Sequence, residues 1–365
     1  MSTRESAPDL EDDSQGIMGA EEEPEEEVEE ADEESEGLEE EESLDEENAV
    51  EEDTSDVGYV QLPTGESLSA NDTGVIRRLR RTRLIVLAGD IDSGKTTLLG
   101  SVFLRFQQGP FAGYLFAGSQ TLMGFEMRCW PSRAASMGRK ATTHRTPAGQ
   151  HNFYHLRVRQ ETLSSQSRDL LFCDISGEVY ELAAQSSSAC RELLEIQQAD
   201  HFSLLIDGLK IRSFSQRNLA LSNARQLLRR LLDTNMLSSE ASVQILFTKE
   251  DVLRAGIDEI VQVGLIKPID AEDYCLPEEA EQFIAQAMQI FKQEFGGRLK
   301  NLKYFRVAPR ADLEGYDLAS GVEDIFPLWV EVLPQRSALE QLPALPQPIR
   351  EMDKFLFRAL GKVDH

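Results

Sequence analysis

The chain has 365 residues and carries 65 acidic against 37 basic side chains, a formal net charge of −28. Residues 1–60 hold 28 of the acidic groups and one arginine (Arg4), so the remaining chain, with 37 acidic and 36 basic groups, is close to neutral. This excludes a body-wide basic footprint for nucleic acid, no uncharged apolar run approaches the ~18 residues of a membrane span, and no basic, then apolar leader opens the chain.

Residues 1–60 are Glu-rich, and the first aromatic residue is Tyr59. Such a segment buries too little apolar surface to offset the entropy of ordering, so a disordered acidic tail is expected. It serves as a solubilising tail, a lure for a basic partner, or an electrostatic mask. A polar linker follows over 61–82, running into the basic stretch RRLRRTR, which holds Arg77, Arg78, Arg80, Arg81 and Arg83. The basic stretch either flanks the first strand or receives the acidic tail. The four cysteines form no C-x-x-C pair, which fits a reducing, cytoplasmic setting.

From residue 83 the pattern changes. RLIVLAG (83–89) reads as a strand covered on both faces, and 94–108 as a helix with Leu98, Leu99, Val102, Phe103 and Phe106 on one side. After a polar and aromatic stretch over 109–151, the segments 152–159 and 168–175 read as an antiparallel hairpin. Within that stretch, Ser119 and Thr121 with Glu126 fit either a capping box or a recognition loop. Further elements are a helix over 178–198, a strand over 201–208, a helix over 216–232, a strand over 243–249, a helix over 277–296, a strand over 302–309 and a helix over 321–333. Strands alternating with helices predict an α/β fold, a doubly wound and mostly parallel sheet. A single α/β domain is expected over 83–333. A Pro-rich linker and an amphipathic helix are expected over 334–365, the helix bearing Met352, Phe355, Leu356 and Leu360.

The first strand runs into GDIDSGKT (89–96), a Gly-x4-Gly-Lys-Thr in strand–loop–helix context. In such a loop the amides of Asp90, Asp92, Ser93 and Gly94 turn toward phosphate at a helix N-terminus. Lys95 reaches the β- and γ-phosphates, Thr96 ligates Mg²⁺, and Thr97 meets the α-phosphate. The hairpin ends in DISGE (174–178). There Asp174 can hold Mg²⁺ and the Gly177 amide can sense a γ-phosphate. QILFTKED (244–251) gives Thr248-Lys249-x-Asp251. The Asp251 carboxylate can accept both guanine donors, N1–H and the N2 amine, which adenine lacks, while the Lys249 stem lies across the base. FRVAPR (305–310) places the Ala308 amide as a candidate donor to guanine O6. The predicted cofactors are therefore GTP/GDP and Mg²⁺.

These three motifs, in this order, resemble the Ras-like translation-factor (TRAFAC) class of P-loop GTPases. FAGSQTLMGFE (116–126), Arg133 with Ser136, and LLIDG (204–208) resemble the second GTPase of the bacterial double-GTPase proteins proposed to act in conflict systems. The resemblance spans about 83–333. It implies a regulatory GTPase working beside a second GTPase and effector proteins. Three positions depart from the Ras-like pattern. Ile91 stands where Gly is usual, Asp92-Ser93 is similar to the Glu-Ser of heterotrimeric G-protein alpha subunits, and Glu178 replaces a water-orienting Gln. An ionised Glu accepts hydrogen bonds but cannot donate one to the γ-phosphate, which predicts slow hydrolysis without a partner. A first switch is expected within 138–147, with Thr146 favoured over Thr142 and Thr143 as metal ligand and catalytic contact. Arg139 and Arg145 are candidate cis arginines. His151 and His155 read as ordinary histidines, not ligands. The favoured expectation is a Mg²⁺-dependent GTP-hydrolysing switch. The alternatives are a GTP-responsive scaffold with little turnover, and an adaptor acting through its acidic tail.

Overall fold

The computed structural model describes residues 65–79, 82–129, 151–162, 167–310 and 316–331, all within the compact unit Val60–His365. The acidic tail, Thr146 with the rest of 138–147, and the C-terminal helix 349–363 lie outside the described residues.

In chain order the elements begin with α1 (Ala70–Leu79), β1 (Thr82–Gly89), α2 (Lys95–Gln108), β2 (Tyr114–Gly118) and α3 (Leu122–Cys129). The antiparallel pair β3 (His151–Gln160) and β4 (Ser167–Ile175) follows, then α4 (Gly177–Gln185), α5 (Ser187–Arg191) and α6 (Leu194–Gln197). Next come β5 (His201–Ile206), α7 (Gly208–Arg212), α8 (Arg217–Asp233), β6 (Ser242–Phe247), α9 (Glu250–Arg254) and α10 (Ile257–Gln262). A 3-10 turn at Pro268–Asp273, α11 (Pro277–Phe295), β7 (Asn301–Arg306) and α12 (Phe326–Val330) complete the described chain.

Seven strands form one sheet in the order β2-β3-β4-β1-β5-β6-β7. β1 pairs in parallel with β4 and β5, and β5–β6–β7 continue in parallel. β2 and β3 run antiparallel at one edge. The alternation of β1 feeds two cores. Leu84, Val86 and Ala88 join the side covered by α4, α8 and α11, while Ile85 and Leu87 join the side covered by α2, α3 and α12. Each fully buried large apolar side chain contributes ~1.5–3 kcal/mol. Phe103 stacks on Phe125 at 4.8 Å, so α3 is packed directly on α2.

The structure departs from the sequence reading in specific places. The stretch read as linker over 61–82 contains α1. Ser69 N and Oγ both donate to Asp72 Oδ2, at 2.9 and 2.7 Å, a cap that the Asn-Asp punctuation concealed. Leu68 and Ile76 are buried. Of the basic stretch, Arg77 donates to Gln198, and Arg83 pairs with Asp200 at 3.1 Å, so both serve their own body. The expected helix 178–198 is three short ones. Ser186 adopts extended backbone and accepts from Ala189 N, because serines compete for backbone donors. The strands read to 208 and 249 end at Ile206 and Phe247. Among the described residues of 321–333, the helix covers Phe326–Val330. β2 and α3 occupy part of the unassigned stretch. At the start of α3, Thr121 Oγ1 accepts from His155 N at 2.9 Å, and Glu126 accepts from Gln107. His155 is fully buried, its Nε2 bonded to Asp169 at 2.8 Å.

Candidate functional site

The carboxyl ends of β1, β4, β5 and β6 all point to one edge of the sheet, where the open α/β architecture binds ligands. Three loops meet there.

The first is 89–96, between β1 and α2. Asp92 and Gly94 both take positive φ, 63° and 92°, and Gly94 caps α2. Positive φ at these positions is the backbone pattern of an anion nest, and within the loop the Ser93 amide donates to Asp90 O at 3.3 Å. Lys95 is buried, and its Nζ donates to the carbonyls of Gly89 (2.8 Å) and Asp90 (2.9 Å). Burial pushes its pKa down, and the carboxylates of Asp174, Asp90, Glu178 and Asp92 act against that fall. Thr97 is half-buried on the first turn of α2.

The second loop, 174–178, follows β4. Thr96 Oγ1 donates to Asp174 Oδ2 at 3.0 Å, so the hydroxyl and carboxylate expected to share a metal are neighbours. Both are hard oxygen donors of the kind Mg²⁺ takes, so the residues fit that ion. Among the described residues, no group of three His, Cys, Asp or Glu side chains forms a metal cluster of its own. Gly177 opens α4, and Tyr180 anchors that helix by donating its hydroxyl to Leu87 O at 3.0 Å. Glu178 is exposed in the first turn of α4.

The third loop, 248–251, follows β6. Thr248 is wholly buried, and its hydroxyl donates to Ser93 O at 3.0 Å, joining this loop to the first. Lys249 has φ 55° and its Nζ pairs with Asp207 Oδ2 at 2.8 Å. Asp251 is 3 % exposed, in the first turn of α9. Asp207 also caps α7 by accepting from Leu209 N at 2.8 Å.

One candidate requires correction. The Ala308 amide donates to Ser320 O at 2.9 Å. The fold already engages that donor, so it is not presented to a base, and neighbouring Pro309 has none.

Sequence reasoning missed two ties to the phosphate loop. Lys210 Nζ donates to Ile91 O at 3.2 Å and lies 3.7 Å from Asp90 Oδ2. Asn223 Nδ2 donates to Asp90 Oδ2 at 3.3 Å. Neither carries a local motif; only the packing of α7 and α8 brings them there. Asn223 also helps wall a cavity of about 220 Å³ between α4 and α8 that reaches Gly89 and Asp90.

All four cysteines are buried free thiols. Among the described residues, no helix is long and apolar enough to cross a membrane. A profile of the family described as Double-GTPase 2 matches residues 83–330. No curated protein matches the chain.

Proposed function

The chain belongs to the Double-GTPase 2 family, and from that membership we propose that it is a Mg²⁺-dependent GTP-binding switch that hydrolyses GTP slowly. The observation that carries this reading is the bond from Thr248 Oγ1 to Ser93 O. It makes one continuous site of a phosphate loop and a Thr-Lys-x-Asp loop lying 155 residues apart in sequence.

In this reading Lys95 exchanges its loop carbonyls for β- and γ-phosphate oxygens, with the amides of 90–94 as further donors. Asp251 accepts the guanine N1–H and N2 donors, and the Lys249 stem covers the base. Thr96 and Asp174 would hold Mg²⁺, with Thr146 as a third candidate; the ion supplies positive charge against the phosphates. Gly177 reads the γ-phosphate through its amide. The site works in a cytoplasmic protein alongside a second GTPase or effectors of a bacterial conflict system, and the acidic tail 1–60 offers a basic partner its docking charge. The domain division is 1–60, 61–82, 83–333 and 334–365, with α1 inside the second segment.

The test is nucleotide preference. Purified protein should hold GDP or GTP and bind GTP far more tightly than ATP. Asp251→Asn should move preference toward xanthosine triphosphate, because an amide donor then faces a purine carbonyl. Equal affinity for ATP and GTP would sink the guanine reading.

A second reading is a GTP-responsive scaffold with little turnover. The exposed, acceptor-only Glu178 at the start of α4 favours it. Single-turnover phosphate release separates the two: a rate equal to that in buffer supports the scaffold.

A further inference from the structure

Arg212, the last residue of α7, is wholly buried and makes no ion pair with a carboxylate among the described residues. Burying a guanidinium is costly unless its donors are matched; here Nε and Nη1 find backbone acceptors, while Nη2 is buried without a partner. Nη1 donates to Val252 O (2.7 Å) and Ala255 O (2.8 Å), and Nε donates to Cys275 O (2.7 Å). Val252 and Ala255 lie on and just past α9, so the cation sits where that helix presents its orphan carbonyls. The Arg212 carbonyl in turn accepts from Cys275 N at 2.8 Å, which fixes the arginine's own backbone.

The other end of α7 grips the same loop. Gly208 N donates to Thr248 O at 3.1 Å, and a β-carbon on Gly208 would stand 2.2 Å from that oxygen. Asp207 holds the Lys249 ammonium. Between these grips Lys249 keeps a left-handed backbone that is unfavourable for a non-glycine residue and persists only where the surroundings impose it. The loop 248–255 is therefore held at its start by Asp207 and Gly208 and at its end by Arg212.

We propose that Arg212 is a positioning residue for purine selection: by fixing the carbonyl end of α9 it aims the Asp251 carboxylate at the purine edge. This rests on the reading of Asp251 as the guanine acceptor. Arg212 touches no nucleotide in this scheme, and its effect passes through α9.

The experiment measures dissociation constants of GDP, IDP and ADP for wild type, Arg212→Lys and Arg212→Met, with thermal melting as the fold check. IDP lacks the N2 amine, so the GDP/IDP ratio reports how well the carboxylate is aimed. The expected result is a folded Arg212→Lys protein whose GDP affinity falls about tenfold or more, with a smaller loss for IDP, so that the GDP/IDP ratio of dissociation constants rises toward one. Arg212→Met should go further. Equal losses for all three nucleotides, an unchanged ratio, or failure of both variants to fold would make Arg212 a general packing residue and overturn the proposal. Wild-type protein that binds ADP as tightly as GDP would instead remove the guanine reading on which it stands.

Discussion

Gly177 lies so close to Ile91 that a β-carbon added to it would stand 2.4 Å from the Ile91 amide nitrogen and 2.7 Å from its α-carbon. The atoms in the way are phosphate-loop backbone and cannot rotate aside. The loop after β4 and the loop after β1 are thus in contact at a point where only a residue without a side chain fits.

Gly177→Ala must push the two loops apart. Overpacking of this kind costs ~1–3 kcal/mol. The expected outcome is a lower melting temperature and a loss of the difference in affinity between GDP and a non-hydrolysable GTP analogue. Unaltered discrimination between those two ligands would show that Gly177 does not sense the γ-phosphate.

Lys95→Met removes an ammonium that burial disfavours and leaves the carbonyls of Gly89 and Asp90 without that donor. The two effects on the fold oppose each other, so the melting temperature of nucleotide-free protein should change little. Triphosphate affinity should fall about 100-fold, as loss of a charge-assisted contact to phosphate implies. Calorimetric titration with GTP checks the second, and GTP binding at wild-type strength would refute it.

The positions of the loops 89–96 and 248–251 between strand and helix were legible in the sequence because each is a short run of residue types fixed by local geometry. Lys95, Thr96, Asp174 and Thr248 fall where strand–loop–helix logic puts them, and β1, β3, β4, β5 and β6 follow from continuous apolar or alternating runs. What escaped had no local signature. Lys210, Asn223 and Arg212 act through partners about 40 to 133 residues away in sequence. The helices α7, α9 and α10, of five or six residues, are too short to show a period. The Ala308 reading failed because a backbone donor's availability depends on a tertiary partner, here Ser320.

Thr248→Val keeps the shape of the side chain and deletes the hydroxyl that donates to Ser93 O and sits 3.2 Å from Ile206 O. Loss of a buried bond of this kind costs about 1 kcal/mol. Global stability should drop by that amount, and GTP affinity by about fivefold, since the loops then move independently. Chemical denaturation and fluorescent-nucleotide binding on the same preparations measure both.

His201 supplies a pH test independent of nucleotide. Burial lowers its pKa to about 4, against an ordinary 6.5; Asp200 acts against that fall, while Arg83 and Lys303 add to it. Its Nδ1 faces Gln244 Nε2 at 3.4 Å. Between pH 6.5 and about 4 the unfolded chain binds a proton that the folded chain refuses, so stability falls as the solution is acidified through that window. The loss attributable to this residue is about 2 kcal/mol at pH 5. Denaturation curves at pH 7 and pH 5 should show a smaller pH penalty for His201→Phe than for wild type. An identical penalty would mean that His201 is protonated in the fold.

α7 touches both halves of the site, Lys210 reaching the phosphate loop and Arg212 the base loop. The tetrapeptide Thr248–Asp251 is therefore not a portable cassette. A chimera given another protein's base-reading tetrapeptide alone would inherit its letters without its scaffold, whereas one that also receives 207–212 and 252–255 would carry the whole lever. In the proposed reading, the segments that set nucleotide choice in this chain, 207–212 and 248–255, belong to two successive crossovers of the sheet.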